Sequence, residues 1–362
     1  MAPSFDDANS LYDFVVQKGY GVKGLVDFGI ANVPESYIQP LKERINKQYA
    51  TQHLFSTIDL SKLDGPQHNE VVGALVHSAE TLGFFQVVNH GVPVELLEDL
   101  KEEAHKFFNQ TPEEKSIYLK GVSPNPLVKY GTSFVPEKEK ALEWKDYVSM
   151  VYTNDDEALQ HWPKECKEIA LEYLKSSTRM VKRLLSILFE NLGVTLEKSR
   201  EEALLHLKMV NMNFYPTCPN PDLTVGVGRH SDMGTFTVLL QDGIGGLYVK
   251  LEGNVEDGKE EWVEIPPIPG ALVINIGDTL QILSNGRYKS AEHRVSTTST
   301  QSRVSVPLFT IPKPSEKIGP LPELVEKDGV ALYQEVIFEE YMKNFFGNAH
   351  DGKKSLQFAQ KN

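Results

Sequence analysis

Cysteine is scarce in this chain, which carries only Cys166 and Cys218 among 362 residues. A secreted disulfide framework uses more cysteines, so we expect a reducing compartment in which both are buried or half-buried thiols. Long apolar runs are also lacking, since no stretch approaches the roughly 18 apolar residues of a transmembrane helix. The first residues show no apolar signal segment. These absences predict a soluble, cytoplasmic protein.

Positive charge is the second shortage, with 37 Lys and Arg against 50 Asp and Glu and a net charge of -13. An acidic surface repels phosphate backbones, so we expect no nucleic-acid partner. The net charge leaves room for a local basic patch that binds one anionic ligand. A nucleotide-binding glycine loop and a nucleophile elbow are also missing. We expect a monomer that binds a small molecule and has no membrane partner.

The front half of the chain has mostly helical periodicity. Apolar residues recur every three or four positions in several stretches, and short apolar runs between them predict strands. The predicted helices are residues 67–82, 94–108 and 165–192, with a closing helix at 333–346. The predicted strands of this half are residues 57–60, 84–88 and 144–152. Glycines and prolines interrupt residues 1–54, which predicts irregular structure with short helical pieces.

The pattern changes after about residue 205. Short runs rich in Val, Ile, Leu, Thr and Phe alternate with turn signals, which predicts a sandwich or barrel of about eight short strands. The runs are residues 208–215, 223–227, 234–240, 247–251, 261–265, 271–276, 279–283, 292–297 and 303–311. The acidic stretch 252–261 is most simply a solvated hairpin loop.

These patterns together predict an α+β protein with a mainly β core. The expected core is a double-stranded β-helix, or jelly roll, with a helical N-terminal half packed around it. We expect a mostly helical region at residues 1–200, the jelly-roll core at 201–315, and a C-terminal helix and tail at 316–362.

A candidate metal site begins at His230-Ser231-Asp232. On an extended chain alternate side chains point the same way, so His230 and Asp232 face one side together. His293 opens a later predicted strand, and a closed double sheet would let the two segments meet across it. Two imidazoles and one carboxylate form the facial triad of non-haem Fe(II) oxygenases, although zinc fits the same ligands.

A candidate anion site follows at Arg303-Val304-Ser305, where Arg303 and Ser305 share one face of the next predicted strand. A guanidinium makes a two-point contact with a carboxylate, and a hydroxyl adds another donor. Arg303 lies in an apolar run, and a buried arginine needs an anionic partner. A dicarboxylate co-substrate would supply one.

The order of these motifs resembles the plant 2-oxoglutarate/Fe(II)-dependent dioxygenases. The resemblance rests on Asn213-Phe214-Tyr215-Pro216, His230-x-Asp232, His293, Arg303-x-Ser305 and the front segment 83–91. It covers nearly the whole chain. One departure is Phe214, where the family often has Tyr, while Tyr215 is kept.

The resemblance implies roles for particular residues. His230, Asp232 and His293 would hold Fe(II) and form the catalytic centre. Arg303 and Ser305 would bind 2-oxoglutarate, with Tyr215 and Asn213 assisting. O2 is the implied oxidant and ascorbate the implied stimulant. A flat aromatic substrate favours aromatic walls, for which the candidates near the metal are Phe309, Phe134, Tyr130 and Phe214.

Further segments resemble the coumarin-pathway branch of the family, which contains feruloyl-CoA 6′-hydroxylases and scopoletin 8-hydroxylases. They are residues 63–68, 128–134, 144–147, 154–155 and 350–354. The sequence is most similar to that of the 8-hydroxylases. This similarity implies scopoletin as substrate, fraxetin as product and a role in iron acquisition. The alternative within the branch is ortho-hydroxylation of feruloyl-CoA or p-coumaroyl-CoA, which requires a basic zone for the CoA phosphates.

Two other classes of protein fit parts of the pattern. A non-catalytic jelly roll could bind a metal or small ligand, although none of the expected ligands is missing. An oxidase that does not use 2-oxoglutarate could keep Arg303 and Ser305 for its own carboxylate substrate. Among the remaining polar residues, we expect His90 and Asp278 to have hydrogen-bonding roles. Lys145, next to Trp144, is a further candidate for substrate contact, although a solvated lysine is the simpler interpretation.

Overall fold

Fourteen strands are present in the computed structural model, which describes residues 8–45, 57–251, 261–347, 350 and 352–361. The strands are β1 (Thr57–Asp59), β2 (Phe84–Val88), β3 (Val128–Thr132), β4 (Asp146–Tyr152), β5 (Leu207–Tyr215), β6 (Val227–His230), β7 (Phe236–Gln241), β8 (Leu247–Lys250), β9 (Trp262–Glu264), β10 (Leu272–Ile276), β11 (His293–Val295), β12 (Arg303–Ile311), β13 (Lys317–Ile318) and β14 (Val336–Ile337).

Helices dominate the first half of the chain and its end. The α-helices are α1 (Ala8–Tyr12), α2 (Gly21–Asp27), α3 (His68–Thr81), α4 (Val94–Phe108), α5 (Pro112–Ser116), α6 (Asp155–His161), α7 (Lys167–Asn191), α8 (Lys198–Leu204), α9 (Asp278–Leu283), α10 (Pro322–Asp328), α11 (Phe338–Phe346) and α12 (Lys354–Gln357). Within the described residues, no helix is both long enough and apolar enough to span a bilayer.

Two sheets form the β core. The larger has eight strands in the order β1-β2-β10-β7-β12-β5-β4-β3, and the smaller has four in the order β6-β11-β8-β9. Neighbouring strands run antiparallel except β1 and β2, which are parallel. The helical first half contributes β1 to β4 to both ends of the large sheet, so the two halves of the chain share one sheet.

Side-chain alternation gives the large sheet two different faces. On β5 and β12, the even-numbered residues Val210, Met212, Val306 and Leu308 belong to the main apolar core, together with residues of α3, α4 and α7. Tyr173 holds α7 against the large sheet, because its hydroxyl lies 3.2 Å from the backbone carbonyl oxygens of Val238 and Val306, to which it donates. The odd-numbered residues therefore face the other way, toward the small sheet.

A second apolar cluster lies between the two sheets. It combines Phe84, Tyr215 and Val273 of the large sheet with Val249 and Val295 of the small one. Two facing sheets with an apolar layer between them form the jelly roll that the strand pattern predicts.

Three element assignments made from sequence are wrong. Residues 279–283 form helix α9 rather than a strand, and all six residues of α9 are buried. Residues 223–227 are not a strand, because a 3₁₀ helix occupies Pro221–Leu223 and β6 begins at Val227. The closing helix starts later than expected, since β14 precedes α11. A short apolar run that is buried on all sides has no periodicity to separate helix from strand.

The other long helices and strands of the front half are confirmed within a few residues. The acidic stretch 252–261 lies outside the described residues apart from its last position, as do residues 46–54 of the irregular front segment. The division of the chain at residues 200 and 315 stays a prediction.

Gly83 joins α3 to β2 and provides a test of this packing. Its φ of 73° is in the left-handed region, and a Cβ atom there would overlap the carbonyl oxygen of Lys289. We expect Gly83→Ala to lower the free energy of unfolding by about 2–4 kcal/mol, since strain and a backbone clash add.

Gly193 is the matched control, because its φ is 78° and nothing lies within 4 Å of an added Cβ. Gly193→Ala should cost only the backbone strain, about 1–2 kcal/mol. Urea unfolding of both variants measures the difference. Equal losses would show that the approach to Lys289 has no energetic role.

Candidate active site

His230, Asp232 and His293 converge at one end of the space between the sheets. One ligand atom from each residue lies within 4.8 Å of the others. Asp232 Oδ1 is 3.5 Å from His230 Nε2 and 3.9 Å from His293 Nε2. Two imidazole nitrogens and one carboxylate oxygen at this separation can bind one first-row divalent metal ion.

Backbone pairing brings the two histidines together. β6 and β11 are antiparallel neighbours in the small sheet, and His230 is the register partner of His293. The expectation that the two segments meet across the double sheet is therefore wrong, because they are adjacent in the same sheet. The pairing places the two rings 4.2 Å apart.

Hydrogen bonds orient each of the three side chains. His230 Nδ1 lies 2.9 Å from the carbonyl oxygen of Gly228, and His293 Nδ1 lies 3.1 Å from that of Ala291. A ring nitrogen that donates to a carbonyl leaves the other nitrogen, Nε2, free to bind a metal. Burial lowers the pKa of His230 well below its usual value, and the neighbouring histidines lower it further. The neutral form, which binds metals, is thereby favoured.

The large sheet holds the carboxylate. Asp232 Oδ2 accepts hydrogen bonds from Thr237 Oγ1 at 2.5 Å and Asn275 Nδ2 at 2.6 Å. Because Oδ2 is occupied in this way, Oδ1 is the oxygen directed at the histidines. Neither donor is among the residues predicted for the site. Asn275 had a detectable signal, since it is a polar residue within the buried apolar strand β10.

Arg303 and Ser305 lie on the inward face of β12, as their spacing predicts. They pair in register with Tyr215 and Asn213 of β5, and all four side chains line the same cavity as the histidines. The Arg303 guanidinium lies over the Tyr215 ring, 5.0 Å from its centre. The structure therefore brings together the four residues that the resemblance assigns to 2-oxoglutarate.

The guanidinium of Arg303 is buried without a full set of partners. It is 1% exposed, its Nε donates to the carbonyl of Ile244, and its Nη2 donates to Gln241 Oε1 at 2.9 Å. Within the described part of the chain, Nη1 has no hydrogen-bond partner and no carboxylate pairs with Arg303. A buried cation requires an anion. The site therefore fits a ligand carboxylate.

Mostly apolar side chains complete the cavity walls. They include Phe309 and Phe134, as expected, together with Phe84, Phe345 and Phe346. Phe345 and Phe346 come from α11, which sequence analysis did not connect with the site.

Tyr130 and Phe214, the other two candidates for substrate contact, do not line the cavity. Phe214 stacks on Phe108 at 5.2 Å, and Tyr130 packs against Phe107 at 6.1 Å. Phe214 lies between two inward-facing residues of β5, so alternation turns it toward the helices. Both rings are ordinary core residues, and the prediction of substrate contact is wrong for them.

Lys145 is buried rather than solvated, contrary to expectation. Its side chain is 9% exposed, it lines the cavity, and its Nζ lies 3.2 Å from Glu143 Oε2. The other oxygen of Glu143 contacts His350 Nδ1 at 2.6 Å. Burial alone would raise the pKa of Glu143, but Lys145 and His350 lower it to about 2. Glu143 and Lys145 are therefore a charged pair.

Two other polar residues have the hydrogen-bonding roles expected of them. His90 bridges the Gly270 carbonyl and the Val92 amide. Asp278 is fully buried and accepts hydrogen bonds from Ser231, Ser290 and Tyr341. Both cysteines are buried thiols, as expected.

Two family models match the chain. Residues 207–312 match the 2OG-Fe(II) oxygenase superfamily, and residues 55–165 match the N-terminal region of non-haem dioxygenases in morphine synthesis. The first match contains every residue of the candidate metal and anion sites.

Individual proteins are similar over the whole length. Scopoletin 8-hydroxylase of Arabidopsis thaliana is 67% identical over 99% of both chains. A feruloyl-CoA ortho-hydroxylase of Ipomoea batatas is 50% identical over 98% of both. The crystal structure of JOX2 in complex with 2OG, Fe and JA aligns with a TM-score of 0.82 and 32% identity, covering 94% of this chain and 97% of that one. The chain therefore belongs to the 2OG-Fe(II) oxygenases, a family of enzymes that use Fe(II) and 2-oxoglutarate.

Proposed function

We propose that this enzyme hydroxylates scopoletin at ring carbon 8 and forms fraxetin. The observation that carries the proposal is the 67% identity to a scopoletin 8-hydroxylase over 99% of both chains. The aromatic cavity beside the three converging ligands supports it, because a flat coumarin fits between such walls.

In this proposal His230, Asp232 and His293 hold Fe(II). Their geometry supports the assignment, since the three ligand atoms lie within 4.8 Å of one another and each side chain is oriented by a hydrogen bond. Three protein ligands leave open coordination positions on the metal ion. The zinc alternative is less suitable, because the family requires a metal that reacts with O2.

Arg303 and Ser305 bind the distal carboxylate of 2-oxoglutarate in this proposal. The unpaired Nη1 of Arg303 supports the assignment, because a planar guanidinium can bind both carboxylate oxygens. Tyr215 and Asn213 are opposite these residues on β5 and complete the 2-oxoglutarate site.

Fe(II) with 2-oxoglutarate and O2 supplies the oxidant for a C–H bond, and 2-oxoglutarate becomes succinate and CO2. The task of this chain is then positioning. Side chains of β5 and β12 in the large sheet hold the co-substrate beside the metal ligands, and the aromatic walls exclude water and select the ring carbon that is presented to the metal.

The alternative within the family is ortho-hydroxylation of feruloyl-CoA or p-coumaroyl-CoA, since ortho-hydroxylases of feruloyl-CoA are 50% identical. The stimulation by ascorbate, the monomeric state, the cytoplasmic location and a role in iron acquisition stay predictions.

A substrate panel tests the function. Purified enzyme is incubated with Fe(II), 2-oxoglutarate and ascorbate, with scopoletin, feruloyl-CoA or p-coumaroyl-CoA as substrate. We expect scopoletin to give one product that is heavier by one oxygen atom, identical to fraxetin, with one succinate released per product. Faster turnover of a CoA ester than of scopoletin would replace the proposal with the alternative.

Thr237→Val tests the support of the metal site. The variant removes the hydroxyl that bonds Asp232 and keeps the side-chain shape. We expect Fe(II) affinity to fall about 10- to 100-fold, as is usual when a partner of a metal ligand is lost. Anaerobic metal titration with a competing chelator measures it.

Thr235→Val is the control for that variant, because its buried hydroxyl bonds the Leu204 carbonyl instead. It should leave Fe(II) affinity unchanged. An equal loss of affinity in both variants would mean that general destabilisation, not the bond to Asp232, is responsible.

Arg303→Lys tests the 2-oxoglutarate site. Lysine keeps the charge but cannot make the planar two-point contact, so we expect KM for 2-oxoglutarate to rise about 10- to 100-fold. Arg287→Lys, which changes a partly exposed ion pair with Asp328, should have no effect. Succinate release measured against 2-oxoglutarate concentration compares the two. An unchanged KM in Arg303→Lys would reject the assignment.

A further inference from the structure

A buried cation lies in the cavity wall apart from the residues assigned to iron and 2-oxoglutarate. It is the ammonium group of Lys145, which is paired with Glu143 at 3.2 Å. Within the described part of the chain, Glu143 is the carboxylate that forms an ion pair with it, although Glu143 Oε2 makes no regular hydrogen bond. An ammonium group has three donors, and Lys145 lines the cavity. Donors of this group are thus available to a molecule bound there.

Glu143 is held rigidly behind the lysine. Its Oε1 accepts a hydrogen bond from the Gly228 amide at 2.7 Å and contacts His350 Nδ1 at 2.6 Å. Its Oε2 is left for Lys145. The carboxylate therefore fixes the position of both cavity-lining groups, Lys145 and His350.

The ion pair is not explained by stability alone. Removing two charges from water costs several kcal/mol per ion, and a well-packed apolar pair often stabilises a fold equally well. An enzyme whose cavity must bind a polar atom gains from such a pair, because the cation is pre-positioned and already desolvated.

His350 connects this pair to the metal site. Its ring stacks on His230 with 4.4 Å between ring centres, and its other face stacks on Phe134 at 4.1 Å. The charged pair and an aromatic wall are thus next to the residues that we assign to iron.

We propose that the Lys145 ammonium, held by Glu143 and bordered by His350, binds the phenolic oxygen adjacent to the carbon that is hydroxylated. This inference rests on the proposed function. In scopoletin the 7-hydroxyl group is on the carbon next to carbon 8, so anchoring that oxygen presents carbon 8. Lys145 is then a specificity-determining residue, because an ammonium group donates more strongly to a phenol or phenolate oxygen than to an aryl ether oxygen, whose methyl group also obstructs the contact.

The same contact separates the two substrate classes of the relatives. In feruloyl-CoA the carbon attacked by an ortho-hydroxylase is next to the carbon that carries the side chain, and the phenolic oxygen is meta to it. A cation that anchors the phenolic oxygen beside the target carbon would therefore present the wrong carbon of feruloyl-CoA. The contact favours the coumarin on geometric grounds.

Lys145→Met with two substrates tests the proposal. The substrates are scopoletin and its 7-O-methyl ether. We expect the wild-type enzyme to prefer scopoletin in kcat/KM by about 10- to 100-fold, the range for a hydrogen bond to a charged group. Lys145→Met should reduce this preference to about threefold or less, mainly through a higher KM for scopoletin, with KM for 2-oxoglutarate unchanged.

Lys208→Met is the matched control. Lys208 is on β5 and lies over the Tyr152 ring, outside the cavity. This variant should keep the full preference for the phenol. If Lys145→Met keeps it too, or raises KM for 2-oxoglutarate instead, the proposal is overturned. If Lys145→Met does not fold, the variant Glu143→Gln/Lys145→Met removes both charges and is judged by the same criteria.

A binding measurement separates this inference from the proposed function. Quenching of the coumarin's own fluorescence gives Kd for the phenol and its ether with enzyme loaded with Zn(II) and 2-oxoglutarate, which cannot turn over. Absence of product from scopoletin with wild-type enzyme would refute the function. Equal Kd values for phenol and ether would refute the role of Lys145, whatever the product.

Discussion

The antiparallel pairing of His230 with His293 is the contact on which the site depends. It joins β6 to β11 and sets the two imidazole rings side by side. Slipping the pair by one residue would turn one ring to the opposite face of the small sheet. The orientation of the Asp232 carboxylate also depends on the large sheet, because Thr237 and Asn275 of that sheet donate hydrogen bonds to its Oδ2. The two sheets must therefore pack correctly before the three ligands converge.

The two buried cations that line the cavity, Arg303 and Lys145, have different kinds of partner. Arg303 has neutral partners only and one unpaired nitrogen within the described residues, whereas Lys145 has its own carboxylate, Glu143. An unpaired buried charge such as that of Arg303 is unfavourable until an anion binds. This suits 2-oxoglutarate, a diacid that binds in each reaction cycle and leaves as succinate. A compensated cation remains stable in the empty cavity and can donate to a neutral phenol or its anion. The uncompensated charge of Arg303 thus favours the co-substrate, and the compensated charge of Lys145 favours the substrate.

The sequence predicted the site well where local spacing determined geometry. His230 and Asp232, and Arg303 and Ser305, share faces because strand alternation is independent of the fold. Alternation also places Phe214 outside the cavity once Tyr215 lies inside, so that error was avoidable. Local spacing could not place His350 at the site, because its contact with Glu143 joins positions far apart in the chain. The burial of Lys145 was not predicted either, because its position against the cavity depends on how the front half packs on the β core. Helix α9 was missed because complete burial removes periodicity.

Residues outside the jelly-roll strands contribute to substrate choice in this enzyme. The chemistry of Fe(II) and 2-oxoglutarate is the same for a coumarin and for a CoA ester, so residues that only bind these groups cannot distinguish the two. Phe134 and Lys145 lie near the two ends of the segment that connects β3 to β4, and His350 follows α11. These segments belong to the front half and to the tail, and they meet at Glu143 and His230. The helical half and the C-terminal tail therefore supply part of the active site as well as covering the core.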